Sequence, residues 1–113
     1  MVVALLASAL YTLPQARSGA SLFSTHCAAC HGARLEGVGG KGPSLRGTFI
    51  RKRHWSVAPL YRFVSKQMPA NARGTLSQPQ YDAVVAFLLA RNGHPAGTIP
   101  LTTARAARTT ARF

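Results

Sequence analysis

The pentapeptide Cys27-Ala28-Ala29-Cys30-His31 is the most informative stretch of this 113-residue sequence. Its two cysteines lie one helical turn apart, so their thiols are directed to the same side. A histidine directly after the second cysteine completes the pattern by which proteins attach haem. The thiols bond two vinyl groups at one haem edge, and the histidine binds the iron. The motif therefore predicts one covalent haem c at Cys27 and Cys30, with His31 as the proximal iron ligand.

Residues 1–20 have the composition of a secretory signal peptide. Residues 2–13 are nearly all apolar, about the length of a signal core and too short to span a membrane. Residues 18–20, Ser-Gly-Ala, offer a cleavage site of small residues. No positive charge precedes the apolar run, so we expect the true start to lie upstream. The alternative is a buried N-terminal helix, because the segment has no polar face.

The predicted mature chain is one small domain that needs a cofactor to fill its core. Removing 20 of the 113 residues leaves 93, and a domain of that size buries only a marginal core by itself. We expect the folded domain to span residues 21–100. Residues 101–113 are mainly Thr, Ala and Arg, which predicts a disordered basic tail.

The cysteine pair has two alternative uses, a redox dithiol and part of a zinc site. A redox dithiol prefers a βαβ setting, and the sequence shows no strand pattern. A zinc site needs more ligands; the chain has no second cysteine pair, but it does have histidines at irregular spacing, namely His26, His31, His54 and His94. The adjacent histidine, the secretion signal and the small size favour haem.

Helical periodicity predicts an all-α fold of three to four short helices wrapped around one haem. We expect helices over residues 21–30, 57–67 and 78–91. The stretch 32–47 is a loop, because it holds six glycines and Pro43. Ser56 can cap the second helix, and Ser77 with Gln80 forms a capping box for the third.

Met68 is the candidate for the sixth position of the iron. It ends a predicted helix before Pro69, and the other methionine is Met1. A lone methionine is often a core filler, and His54 and His94 are alternative ligands. Methionine ligation raises the reduction potential and closes the iron to substrates. It therefore predicts electron transfer rather than catalysis.

Four further residues are candidate haem contacts. The ring N–H of His31 that faces away from iron needs an acceptor, and the glycine-rich loop ending at Pro43 can supply a carbonyl. Arg46, Trp55 and Tyr61 can reach the haem propionates, or they can serve ordinary packing and solvated charge.

The charge balance is strongly basic. The chain has 14 Lys and Arg against two acidic residues, a formal net charge of +12, with one dense run at residues 51–53. Such a field favours an acidic protein surface, an anionic membrane or nucleic acid as partner. With haem bound we expect acidic redox proteins as partners, no nucleic acid, and no transmembrane segment in the mature chain.

The order of the motifs resembles that of class I cytochromes c. The matching residues are Phe23-x-x-x-Cys27-x-x-Cys30-His31, Gly42-Pro43-Ser44-Leu45-x-Gly47, Met68-Pro69 and the terminal helix. Residues 60–97, with the ending Asn92-Gly93-His94-Pro95-Ala96-Gly97, are similar to the cytochrome c domains or subunits associated with quinoprotein (pyrroloquinoline quinone) alcohol dehydrogenases. The resemblance covers about residues 20–100. Residues 51–55 are unusually basic for that family, and residues 101–113 have no counterpart in it.

The resemblance implies a cytochrome c-like fold, proximal His31, distal Met68 and no catalytic residue. The implied function is that of a periplasmic one-electron carrier between a quinoprotein dehydrogenase and a respiratory oxidase. One alternative is a haem protein with an open sixth site, of the peroxidase or gas-binding kind. A third hypothesis, from charge alone, is a basic nucleic-acid- or membrane-binding protein with a zinc clasp.

Overall fold

The computed structural model describes residues 9–52 and 55–113, and this part of the chain holds six helices. They are α1 (Leu13–His26), α2 (Ala28–His31), α3 (Thr48–Lys52), α4 (Val57–Gln67), α5 (Gln78–Arg91) and α6 (Thr103–Arg108). Between them the described chain is irregular, with three isolated β-bridges and no strand. The predicted all-α class is confirmed. The helices number more than the three to four expected because α2, α3 and α6 are short.

Helices α1 and α5 approach each other most closely at Gly19. A Cβ on Gly19 would lie 1.8 Å from the carbonyl oxygen of Ala83, so only glycine lets the two main chains come this near. One turn further along α1, the ring of Phe23 packs on that of Phe87, with centroids 5.3 Å apart. This crossing fixes Cys27, the residue after α1, relative to α5.

Helix α1 begins eight residues before the start expected at Ser21. Thr12 is its N-cap and accepts a hydrogen bond from the N–H of Gln15, while Pro14 lies in the first turn, where its missing N–H costs nothing. These capping signals fall within residues 1–20, at the end of the apolar run and just after it. The prediction passed over them because the run was assigned to a signal peptide.

In the structure, helix α1 runs across the predicted boundary at residue 21. Tyr11, Ala16 and Gly19 are buried, so cleavage at residues 18–20 would cut a packed helix and remove part of the core. Residues 9–20 fit the alternative interpretation, a buried N-terminal helix. Residues 1–8 of the predicted signal lie outside the described part of the chain.

Residues 101–113, predicted to be a disordered tail, are ordered in the structure. Thr102 caps α6 by accepting from the N–H of Arg105, and Leu101 and Ala106 are fully buried. The Arg105 guanidinium donates, over 2.6–3.0 Å, to four main-chain carbonyls: those of Ala9, Leu10, Ile99 and Pro100. We call this arrangement the Arg105 clamp. It escaped prediction because main-chain acceptors, which have no sequence pattern, hold the segment.

The end of the chain runs beside the start of α4. The N–H of Val57 donates to the carbonyl of Ala111 at 2.9 Å, and the N–H of Phe113 donates to the carbonyl of Trp55 at 3.0 Å. The last residues therefore hold the main chain on both sides of Ser56.

Helices α4 and α5 have the bounds that the sequence predicts. The capping box of Ser77 and Gln80 is present, whereas Ser56 lies at the N-cap without a side-chain cap bond. The longest helices in the described residues, α1 and α5, have 14 residues each. No helix in that part of the chain is long and apolar enough to cross a membrane.

Gly19→Ala should destabilise the protein by about 2 kcal/mol or more, because the new methyl group would overlap a carbonyl and force α1 from α5. The measurement is the free energy of unfolding in denaturant. Gly39→Ala is the matched control, since a Cβ there meets nothing within 4 Å, and it should change stability by less than about 0.5 kcal/mol. Equal stability of the two variants would contradict the close crossing.

Candidate haem site

His31 ends α2 and is 8% exposed. Its Nδ1 donates to the carbonyl oxygen of Pro43 at 2.8 Å, an acceptor in the place that the sequence predicts. With Nδ1 held in this way, Nε2 is the nitrogen available to a metal. Gly42 permits the approach, because a Cβ there would lie 2.6 Å from the Cys30 carbonyl oxygen.

Two adjoining cavities lie around His31, with volumes of about 420 and 230 Å³. Six residues line both cavities, and we call the pair the His31 crevice. The shared residues are His31, Pro43, Leu45, Val64, Met68 and Leu88. His31 and Met68 are the two among them whose side chains can bind iron. The other four give the crevice apolar walls.

Both cysteines line the larger cavity. Cys27 is half-buried, Cys30 is exposed, and neither is in a disulfide. Burial, and secondarily the charge of Cys30, raises the pKa of the Cys27 thiol to about 11. Two reduced thiols beside His31 and an apolar crevice suit the attachment of a large flat apolar group. The residues present therefore fit haem c.

Met68 closes the C-terminal end of α4, where its N–H donates to the Val64 carbonyl at 3.1 Å. The residues after it, Pro69 to Ala72, continue along the larger cavity. The structure thus brings Met68 to the same crevice as His31, where both side chains would hold the iron of a bound haem.

The structure treats the three predicted propionate contacts differently. Trp55 lines the smaller cavity and its ring lies 6.0 Å from that of Phe63. Arg46 is exposed and lines a separate cleft beside Arg91. Tyr61 lines neither cavity, so the structure places Arg46 and Tyr61 in the surroundings of the alternative roles, solvated charge and packing.

The Tyr61 hydroxyl is engaged in a buried polar cluster instead. It donates to Oδ1 of Asp82 at 2.5 Å and lies 2.8 Å from the hydroxyl of Thr103. Asp82 is 8% exposed. Burial raises the pKa of its carboxyl, partly offset by the two hydrogen bonds. Burial, together with the hydrogen bond to Asp82, raises the pKa of Tyr61 to about 12.

The other described histidines, His26 and His94, do not line both cavities of the His31 crevice as Met68 does. The ring of His94 packs on that of Phe113, 5.8 Å away, and His26 lines only the larger cavity. His54 and Arg53 of the basic run lie outside the described residues. Within residues 9–52 and 55–113, no three His, Cys, Asp or Glu side chains gather to hold a metal ion.

Asn92 is a residue whose role sequence analysis missed. Its Nδ2 donates to the carbonyl of Leu45 at 3.0 Å and to that of Leu88 at 2.8 Å, and its Oδ1 accepts from the N–H of Gly47 at 3.1 Å. Asn92 therefore ties the loop after Pro43 to the end of α5. Its sequence signals were its place at a helix end before a glycine and its place in the ending Asn92–Gly97, neither of which indicates these partners.

A family model described as cytochrome c oxidase, cbb3-type, subunit III matches residues 14–88, more than half of the chain. The chain belongs to this cytochrome c family. The match starts within α1. Cytochromes of this family carry haem c and transport electrons, so the predicted class I cytochrome c relationship is confirmed.

Longer proteins are among the relatives. The cytochrome bc1 complex cytochrome c subunits of Mycobacterium bovis and Mycobacterium tuberculosis are 36% identical to this chain over 88 residues, covering 70% of it. The chain spans 29% of the length of those relatives. The crystal structure of the sulfane dehydrogenase SoxCD from Paracoccus pantotrophus superposes with a TM-score of 0.67 at 26% identity, over 95% of this chain and 63% of that one.

Asp82→Asn should flatten the upper part of the stability–pH profile. Because the pKa of the Asp82 carboxyl is higher in the folded protein than its ordinary value of 3.8, protonation of this group favours folding. Its contribution to the free energy of unfolding is complete below pH 3.8 and is lost as pH rises through the pKa of the folded state. The asparagine does not titrate, so the variant should lose less stability than the wild type between about pH 4 and neutrality. The measurement is denaturant unfolding of the holoprotein across that range.

Glu36→Gln is the control of opposite sign. Backbone hydrogen bonds lower the pKa of Glu36, so its contribution to the free energy of unfolding is present at neutral pH and is lost as pH falls. Glu36→Gln should therefore change the pH dependence of stability only at acidic pH. Parallel profiles for Asp82→Asn and the wild type would show that burial does not perturb Asp82.

Proposed function

We propose that this protein is a mono-haem c-type cytochrome that carries single electrons. Cys27 and Cys30 hold the haem covalently, His31 is the proximal iron ligand, and Met68 is the distal ligand. The observation that carries the proposal is the pairing of His31 and Met68: of the six residues common to both cavities, these two have metal-binding side chains.

The protein's own residues set the properties of the bound group. When bound, haem supplies an iron that takes up and releases one electron. The Pro43 carbonyl orients the His31 ring and increases its basicity as a ligand. Met68 fills the sixth position, which favours reduced iron and excludes substrates. Leu45, Val64 and Leu88 keep water from the crevice.

We propose that the electrons come from a dehydrogenase, of the quinoprotein class that the sequence resembles, and pass to a respiratory oxidase in the periplasm. The relatives support this place in an electron-transport chain, because their names describe subunits of respiratory complexes and a dehydrogenase. The net charge of +12 supports acidic partners. Exposed Arg62 and Lys66 flank Phe63, which lines the smaller cavity and is itself exposed.

The first test is to purify the protein from a host that attaches haem c and to record its spectrum before and after denaturation. We expect one haem per chain that stays with the polypeptide in denaturant, and a low-spin ferric spectrum. A protein without covalent haem would overturn the proposal. A high-spin ferric spectrum would instead support an open sixth site and remove Met68 as a ligand.

Met68→Ala should keep covalent haem but lose the sixth ligand. The expected results are a high-spin ferric spectrum, fast carbon monoxide binding to the ferrous form, and a lower reduction potential. Val64→Ala is the matched control, since Val64 lines the same cavities without a ligand atom, and its iron should stay low-spin. His31→Ala, by contrast, should yield little stable holoprotein. An unchanged spectrum in Met68→Ala would assign the sixth position to another residue.

Reduction by an acidic quinoprotein dehydrogenase should become slower as salt increases. Raising ionic strength from 0.01 to 0.1 M shortens the Debye length from about 30 to about 10 Å, which weakens steering between unlike charges. Stopped-flow absorbance measures the rate, and an uncharged small reductant serves as control, with a nearly constant rate. A salt-independent rate with the dehydrogenase would contradict charge steering.

A further inference from the structure

We propose that Tyr81 is a positioning residue for Met68, and that its hydroxyl sets how often the sixth iron position opens. The inference rests on the proposed function, because it takes Met68 as the distal ligand. Residues 68–76, which join α4 to α5, are called the Met68 loop. The hydroxyl of Tyr81, which lies on α5, hydrogen-bonds to the main chain at both ends of this loop.

The geometry of the closure is direct. The Tyr81 hydroxyl donates to the carbonyl oxygen of Met68 at 2.7 Å and accepts from the N–H of Leu76 at 3.3 Å. Tyr81 is only 4% exposed, so water does not readily replace these partners. Both bonded groups belong to the main chain, so they restrain where the loop begins and where it ends.

Tyr81 is held in place by the helix on which it lies. Tyr81 lies in the first turns of α5, just after the capping box of Ser77 and Gln80. The same helix meets α1 at the close crossing of Gly19 and Ala83. The hydroxyl is therefore a fixed point to which the Met68 loop is attached.

The rest of the Met68 loop has weak support of its own. Residues 70–75 are all exposed. The hydrogen bonds within the loop join Ala72 to Pro69, Gly74 to Met68 and Thr75 to Ala72. They shape the loop without attaching it to a helix. Among the described residues, Tyr81 is the side chain outside the loop that hydrogen-bonds to it.

This arrangement has a consequence for the iron. Exposed segments with few external bonds open locally at low free-energy cost, and opening of this loop would carry Met68 away from the crevice. The hydroxyl of Tyr81 binds the carbonyl of Met68 itself, so it opposes this particular opening. Its loss should expose the sixth position without removing the ligand.

The chain offers a matched control in Tyr61. This tyrosine is also 4% exposed, but its hydroxyl bonds to Asp82 and Thr103, away from the Met68 loop. Tyr61→Phe and Tyr81→Phe each keep the ring and remove one buried hydroxyl. Both should lower global stability by a similar amount, whereas only Tyr81→Phe should act on the loop.

The experiment compares wild type, Tyr61→Phe and Tyr81→Phe as covalent-haem holoproteins. Carbon monoxide binding to the ferrous form reports opening of the sixth position, and hydrogen exchange of amides 70–76 reports opening of the loop independently of the iron. Because Tyr81→Phe removes the two hydrogen bonds that the hydroxyl makes to the loop, both rates should rise at least about fivefold in this variant and change less than about twofold in Tyr61→Phe. In a Met68→Ala background, Tyr81→Phe should leave carbon monoxide binding unchanged.

The outcomes separate the two proposals. Wild-type rates in Tyr81→Phe, or an equal increase in Tyr61→Phe, would overturn the positioning role while Met68 ligation stands. A high-spin wild-type protein would overturn ligation, and with it the effect of Tyr81 on the iron. An increase in carbon monoxide binding that persists in the Met68→Ala background would show that Tyr81 acts on the crevice by another route.

Discussion

The close contact between α1 and α5 at Gly19 is the constraint that orders this small fold. It places the end of α1, and with it Cys27, against a helix that also borders the crevice through Leu88. Because the chain is short, few other apolar contacts are available to do this. The proposed haem would complete a core that the polypeptide leaves open around His31.

Helix α5 organises both sides of the crevice. Near its start Tyr81 binds the two ends of the Met68 loop, and at its end Asn92 binds the loop that follows Pro43. The proposed ligands thus belong to two irregular segments that share one rigid support. In the proposed haem protein, Tyr81 and Asn92 would therefore act separately on the segments that carry Met68 and Pro43.

Local signals in the sequence were enough to predict α4, α5 and the acceptor near Pro43, and they singled out His31 and Met68, which the structure brings to one crevice. Each depends on neighbours along the chain, such as a capping box or an attachment motif. Long-range features were missed. Arg105 finds carbonyls about 95 residues away, and Tyr61 turns to Asp82 rather than to the crevice. An apolar N-terminal run has the same composition whether it is exported as a signal or buried as a helix.

The burial of Asp82 leaves Glu36 as the one acidic side chain of this sequence at the surface. A surface so nearly uniform in sign would attract an acidic partner of the proposed kind. Exposed Phe63 lies beside Trp55 where the smaller cavity is lined by both rings, and its shape would orient such a partner. Charge would then set the frequency of encounters, and aromatic contact would select the productive ones.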